Sequence, residues 1–165
     1  MSYGNPPGLV LLLLACAPAA LFSCVAEQAR VPGDPSETET VGLENVHLLA
    51  GGLISGGEPK GDAGYESLRR LGVRSLISTD AVAPDLDRAR AAGIRVVHLP
   101  IGYDGIAERR QIELAAAIRD LPRPIYVHCH HGKHRGPAAI CVGAIGAGEI
   151  TREDGSAFME LAGTS

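Results

Sequence analysis

An α/β domain with a central, mostly parallel sheet flanked by helices is the fold class this sequence predicts, and three observations predict it. Short runs of β-type residues alternate with amphipathic segments from residue 45 onward. Glycine or proline punctuates the junctions between them. The last apolar run, at 125–128, feeds directly into a loop that opens a helix. The chain has 165 residues, enough for one domain with a single core once its N-terminus is set aside.

Residues 46–49 and 53–55 read as strands on either side of the Gly51-Gly52 turn. Asp62 is placed to cap a helix through Leu71 whose apolar side carries Tyr65, Leu68 and Leu71, and Gly72 ends it. A strand over 73–77 follows, then a helix over 84–92 ended by Gly93, then a strand over 94–99 that runs into Pro100. Residues 108–121 put Ile112, Ala115, Ala116 and Ile118 on one helical face; Pro122 and Pro124 break that helix before the strand at 125–128. Beyond the loop, 136–147 form a helix of small residues lined by Ile140, Val142 and Ile145, suited to close packing beneath the sheet. Thr151-Arg152-Glu153-Asp154 is a capping box that starts a last helix over 151–162. No internal repeat is visible.

The N-terminal 26 residues read as a targeting segment outside the fold. Residues 9–26 are almost wholly apolar but are interrupted by Pro18, which makes them marginal as a membrane span. Leu21-Phe22-Ser23-Cys24 resembles a bacterial lipobox and marks Cys24 as a lipidation site; Leu13-Leu14-Ala15-Cys16 fits the pattern with a very short apolar region before it. The leader 1–8 lacks the Lys or Arg that secretion signals carry. The expectation is an exported, membrane-anchored lipoprotein of the cell envelope, with an uncleaved N-terminal anchor as the alternative. Residues 27–44 are rich in Pro, Glu, Thr and Gly and read as a flexible linker, leaving 45–165 as the domain. Four cysteines give no disulfide framework, and export would expose a reactive thiol to oxidation. A formal net charge of −4 excludes a broadly basic nucleic-acid surface.

The chemistry is concentrated in Ile125-Tyr126-Val127-His128-Cys129-His130-His131-Gly132-Lys133-His134-Arg135-Gly136. A strand delivers Cys129 into a short loop that closes with Arg135, so loop amides and a helix N-terminus can converge on one anion. Arg135 can grip two oxygens of that anion, and the same field favours a thiolate at Cys129. The plainer alternative makes Cys129 a buried strand-end thiol beside a solvated basic turn. Four of the six histidines, His128, His130, His131 and His134, fall here, so a Zn or Cu site is a third reading. Adjacent loop residues rarely converge on one ion, however, and no second Cys/His cluster completes a ligand set, so no metal or other cofactor is expected.

These residues resemble the His-Cys-(x)5-Arg signature of the cysteine-dependent protein tyrosine and dual-specificity phosphatases. His128, Cys129, Gly132 and Arg135 match it, and Gly136 stands where the family usually has Ser or Thr. The resemblance implies a dual-specificity phosphatase-like fold, here short or truncated after the loop helix. It implies a phosphoric monoester hydrolase in which Cys129 attacks phosphorus, Arg135 and the loop amides hold the oxygens, and His128 supports the nucleophile. The general acid would be Asp104, on the segment 98–105 that leaves a strand. Its alternative role is an ordinary Asp-Gly turn, with Asp80, Asp85 and Asp87 as substitute acids. His130, His131, Gly132, Lys133, His134 and Gly136 would contact substrate. Lys133 in the loop resembles phosphatases of polyanionic substrates, so the partner is a phosphorylated protein or a small polyanionic phosphate. The missing hydroxyl at Gly136 implies a slow second step unless His130, His131 or a water replaces it. Gly56-Gly57-Glu58-Pro59 reads only as a turn. The competing classes are a phosphate-binding pseudophosphatase, a His-rich metal-binding envelope protein and, more weakly, a rhodanese-type sulfur-transfer enzyme.

Overall fold

The computed structural model describes residues 40–164 and Met1. Its sheet has five strands: β1 (His47–Leu49), β2 (Leu53–Gly56), β3 (Ser75–Ser78), β4 (Arg95–His98) and β5 (Ile125–His128). They lie in the order β1-β2-β5-β3-β4. β1 and β2 are antiparallel because a tight turn joins them, with Gly51 and Gly52 both at φ 74°, a backbone region that favours glycine. The other neighbours are parallel, since a helical crossover separates each strand from the next. The crossovers are α1 (Gly61–Arg70), α2 (Leu86–Ala91) and α3 (Glu108–Asp120), and α4 (Arg135–Gly146) and α5 (Arg152–Leu161) follow β5.

Side chains alternate between the two faces of each strand, and that alternation builds two cores. Leu53, Ile77, Ile125 and Val127 pack with Leu114, Ile118, Ile140 and Phe158 of α3, α4 and α5. Ile54, Leu76 and Tyr126 pack with Tyr65, Leu68 and Ala89 of α1 and α2. β5 is buried along its whole length, so its C-terminal end is the best-anchored point of the sheet. Register sets Gly56, His128 and Ser78 side by side there, with His98 next to Ser78. The loops after β2, β3, β4 and β5 therefore leave from one rim, where α/β sheets carry their ligands. The small-residue helix α4 lies close against α3: a Cβ on Gly143 would stand 2.8 Å from Ile118 Cγ1.

Several expectations are corrected. Asp62 does not cap α1, whose N-cap is Lys60 with no side-chain cap; its carboxylate instead accepts from Arg88 Nε at 2.7 Å. α2 begins after Asp85, which caps it by accepting from Arg88 N at 3.0 Å, and β3 begins at Ser75. The buried face of α3 runs through Leu114 and Ile118, while Ile112 is 64% exposed. Residues two positions apart on a helix are about 200° apart around its axis, so Ile112 and Leu114 cannot share a face. Residues 40–44, assigned by composition to the linker, are packed: Leu43 is buried and Ser67 Oγ donates to Val41 O at 2.7 Å. The capping box at Thr151 is present with both reciprocal bonds. The targeting segment, Cys24 and the linker before residue 40 lie outside the described residues. Among the described residues no helix is long and apolar enough to cross a membrane.

The choice between the two α3 faces is measurable. Leu114→Ala is expected to lower unfolding free energy by about 2–5 kcal/mol and Ile112→Ala by less than about 0.5 kcal/mol, both read from urea unfolding. Similar losses in the two variants would contradict the assigned face.

Candidate active site

The rim above β5 is built from peptide units held from outside. Glu58 N donates to His130 O at 3.1 Å, Asn45 Nδ2 to His131 O at 2.7 Å, and Thr164 Oγ1 to Lys133 O at 2.6 Å. Because a trans peptide sets its N–H opposite its C=O, fixing these carbonyls outward turns the following amides the other way. Among the described residues, no amide of 130–134 donates to a backbone carbonyl. Gly132 makes the bend possible. Its φ is 74°, and a Cβ there would stand 2.3 Å from Gly56 C and 2.4 Å from Gly57 N. The loop thus lies directly on the Gly56-Gly57 backbone. Gly56 in turn leaves room for Tyr126, whose hydroxyl donates to Gly57 O at 2.8 Å.

Cys129 is at the floor, 4% exposed. α4 starts at Arg135, and Pro137 in its first turn gives up no hydrogen bond by lacking an N–H. The Arg135 side chain is only 12% exposed, with Nη2 3.0 Å from Asp80 Oδ1 and Cζ 4.8 Å from the centre of the Tyr103 ring. Asp80 is itself positioned, since its backbone carbonyl meets His98 Nε2 at 2.8 Å. The buried side-chain polar atoms without a partner among the described residues are Arg135 Nε, Ser55 Oγ, Ser78 Oγ and both ring nitrogens of His128. All belong to the loop or to strand ends beneath it, whereas buried polar atoms elsewhere are satisfied.

Burial pushes the His128 imidazole down to about 4, from an ordinary value of 6.5. It is therefore neutral at pH 7 and adds no positive charge beneath the loop. Thr79 holds the same residue's carbonyl with both N and Oγ1, each at 2.8 Å. The second thiol, Cys141, lies in the α4 core and faces Gly155 O at 3.5 Å; burial pushes it up to about 11, which leaves it inert at neutral pH.

Cys129, Gly132, Arg135 and Gly136 all lie in the loop that follows β5 or at the start of α4, with His128 ending the strand below them. Lys133 and His134 are exposed on the loop, His134 being the residue before α4. The rings of His130 and His131 are 4.4 Å apart, and His130 Nδ1 lies 3.3 Å from Glu58. These imidazoles do not converge: among the described residues, no three His, Cys, Asp or Glu side chains gather as a metal site. Asp104 is on the loop after β4, exposed, with no ion pair or hydrogen bond among the described residues. Its neighbour Tyr103 reaches Arg135, so the loop adjoins the cradle. The substitute acids are occupied elsewhere: Asp80 by Arg135, Asp85 and Asp87 by Arg88 and Arg90 in α2.

No family model matches the sequence, and no curated protein is similar to it. Solved structures are similar in fold. The core catalytic domain of the PP-IP phosphatase SIW14 from S. cerevisiae matches with a TM-score of 0.55 at 19% identity, over 72% of this chain and 85% of that one. A cysteine-to-serine variant of P. aeruginosa TpbA, solved in complex with pTyr, matches with a TM-score of 0.59 at 22% identity, over 82% and 83%. Tk-PTP in its active form gives 0.58 at 13% identity, over 72% and 84%. The fold is the one these solved structures share. Within it, Gly56-Gly57 is a shelf for the loop and not only a turn; paired glycines at a strand end were the available sign. Tyr103 over Arg135 and the Asp80 pairing had no sign in the sequence, because both contacts join residues far apart in the chain.

A neutral, buried His128 couples folding to pH. Its folded value of about 4 lies below the unfolded 6.5, so the unfolded chain takes up a proton first and stability falls as pH drops from 6.5 toward 4. The slope from this one group should approach about 1.4 kcal/mol per pH unit. Urea unfolding of native protein and His128→Gln across that window isolates it, and an identical slope in both would remove the histidine from the effect.

Proposed function

We propose that the protein is a phosphoric monoester hydrolase that works through a phosphocysteine on Cys129. The observation that carries this reading is that one short loop, between a buried thiol and a buried Arg135 Nε without a partner among the described residues, holds amides that donate to no backbone carbonyl. Tetrahedral oxyanions match that donor set: amides and a guanidinium fork distribute over three equatorial oxygens. Cys129 sulfur attacks phosphorus, and the ester oxygen leaves with a proton from Asp104 on the adjoining loop. Water then attacks the phosphocysteine with Asp104 as base, releasing phosphate and thiolate.

Substrate choice follows from the rim. Lys133 has no ion-pair partner among the described residues, and His130, His131 and His134 are exposed around it. TpbA was solved with pTyr and SIW14 is a PP-IP phosphatase, so this fold serves both aryl and polyanionic phosphates. For this chain the rim favours a phosphate ester with further negative charge. A binding-only role has one observation in its favour, the Asp80 carboxylate already seated on Arg135; it predicts phosphate affinity without turnover.

Cys129→Ser is expected to abolish release of phosphate while retaining vanadate binding, because the amides and Arg135 persist but a serine hydroxyl cannot replace the thiolate. Substantial turnover by the serine variant would exclude Cys129 as nucleophile. Asp104→Asn should slow alkyl phosphates by roughly 10²-fold or more and activated aryl phosphates much less. Equal slowing of both classes would make Asp104 structural.

A further inference from the structure

The end of the domain away from the rim is basic, although the chain as a whole carries a formal net charge of −4. β3 and β4 start there side by side, with Ser75 opposite Arg95 and Arg95 N donating to Arg74 O at 3.0 Å. α1 arrives with Arg70 in its last turn, and α2 with Arg90, whose carbonyl accepts from Gly93 N at 3.0 Å. Glu66 pairs with Arg69 at 2.8 Å and Asp87 with Arg90 at 3.1 Å, while Asp120 and Glu149 are taken by Arg119 and Arg123. Each of these carboxylates already has its cation. Arg74 and Arg95 are exposed, and their side chains have no ion-pair partner among the described residues.

The N-terminal part of the chain leaves from this same end. Going toward the N-terminus, Glu44 O accepts from Gly57 N, Gly42 O from Lys60 N and Val41 O from Ser67 Oγ, so the segment descends along α1 from the rim. Ser67 Oγ also accepts from Arg70 Nη2 at 2.9 Å, which sets Val41 beside the arginines. Residues 9–26 of the sequence are almost wholly apolar, and 27–39 join them to this point. Those thirteen residues span at most about 45 Å. We propose that the face formed by Arg70, Arg74, Arg90 and Arg95 docks on an anionic lipid surface, with the Cys129 rim turned away from it. An apolar segment seated in the bilayer keeps this end of the domain near the headgroups, and the excess arginines are drawn to their negative potential. Strands of four residues set the rim about 10 Å or more further out. A phosphate ester in solution or on a protein then reaches Cys129 unobstructed, whereas a headgroup of the same bilayer does not.

Arginine labelling of the full chain tests this face without relying on turnover. The chain is reconstituted in vesicles of phosphatidylcholine, or of phosphatidylcholine mixed with phosphatidylglycerol, and treated with phenylglyoxal; peptide mass spectrometry then locates the modified residues. Arg74 and Arg95 are each expected to react about five-fold more slowly in the mixed vesicles, the effect of one arginine's attraction to an anionic surface. That protection should vanish at 1 M salt, where the screening length is about 3 Å. Arg109, whose side chain is 91% exposed at the rim end of α3, should react equally in both. Arg74→Glu combined with Arg95→Glu changes only exposed side chains, and should leave Arg90 equally reactive in the two kinds of vesicle. Equal reactivity of native Arg74 and Arg95 in both, protection of Arg109 in their place, or a chain that associates with neither vesicle overturns the proposal. Protection by soluble polyphosphate as strong as that by mixed vesicles would make the face a site for a soluble polyanion and overturn the lipid assignment.

Discussion

Three loop carbonyls, those of His130, His131 and Lys133, are each held by a donor that lies outside the loop, and the site depends on that restraint. Peptide planarity sets each following amide opposite its tethered carbonyl, so the loop amides are oriented by tethering rather than by the loop residues' own preferences. The tethers come from distant parts of the chain: Asn45 before β1, Glu58 after β2 and Thr164 after α5. The cradle therefore forms only when both ends of the domain have docked. Gly132 lets the loop press onto Gly56 and Gly57, which fixes its height over the sheet as the carbonyls fix its orientation.

Charge at the floor is arranged with the same economy. His128 is kept neutral by burial, while Arg135, at the start of α4, carries a charge that is largely buried. Asp80 and Tyr103 hold the Arg135 guanidinium on two sides, through an ion pair and a cation–π contact, and both come from loops that leave the same sheet rim. A phosphate arriving at the loop must share Arg135 with Asp80. Nε has no partner among the described residues and takes no part in that pair.

The sequence disclosed those parts of this arrangement that are local. Strand and helix order, the Gly51-Gly52 turn and the Thr151 box are encoded within a few residues, and the turn and the box are where they were expected. What was misread depends on tertiary packing. Asp62 has cap chemistry but is drawn to Arg88 26 residues away, and the α3 face was assigned by Ile112 when the packing selects Leu114. The partner of Arg135 and the shelf under Gly132 each need two strands to be neighbours before they exist. Strand order β2-β5-β3 creates them, and no single segment announces that order.

The central claim is that Cys129, among several nucleophilic side chains crowded into one loop, is the residue that takes the phosphoryl group. Denaturant quench of the protein during turnover of an aryl phosphate, followed by peptide mass spectrometry, locates the covalent phosphate directly. Phosphate is expected on the peptide containing Cys129, attached to sulfur and absent from Cys129→Ser. Phosphate on His128, His130, His131 or His134, or turnover with no covalent phosphate at any time, would contradict it.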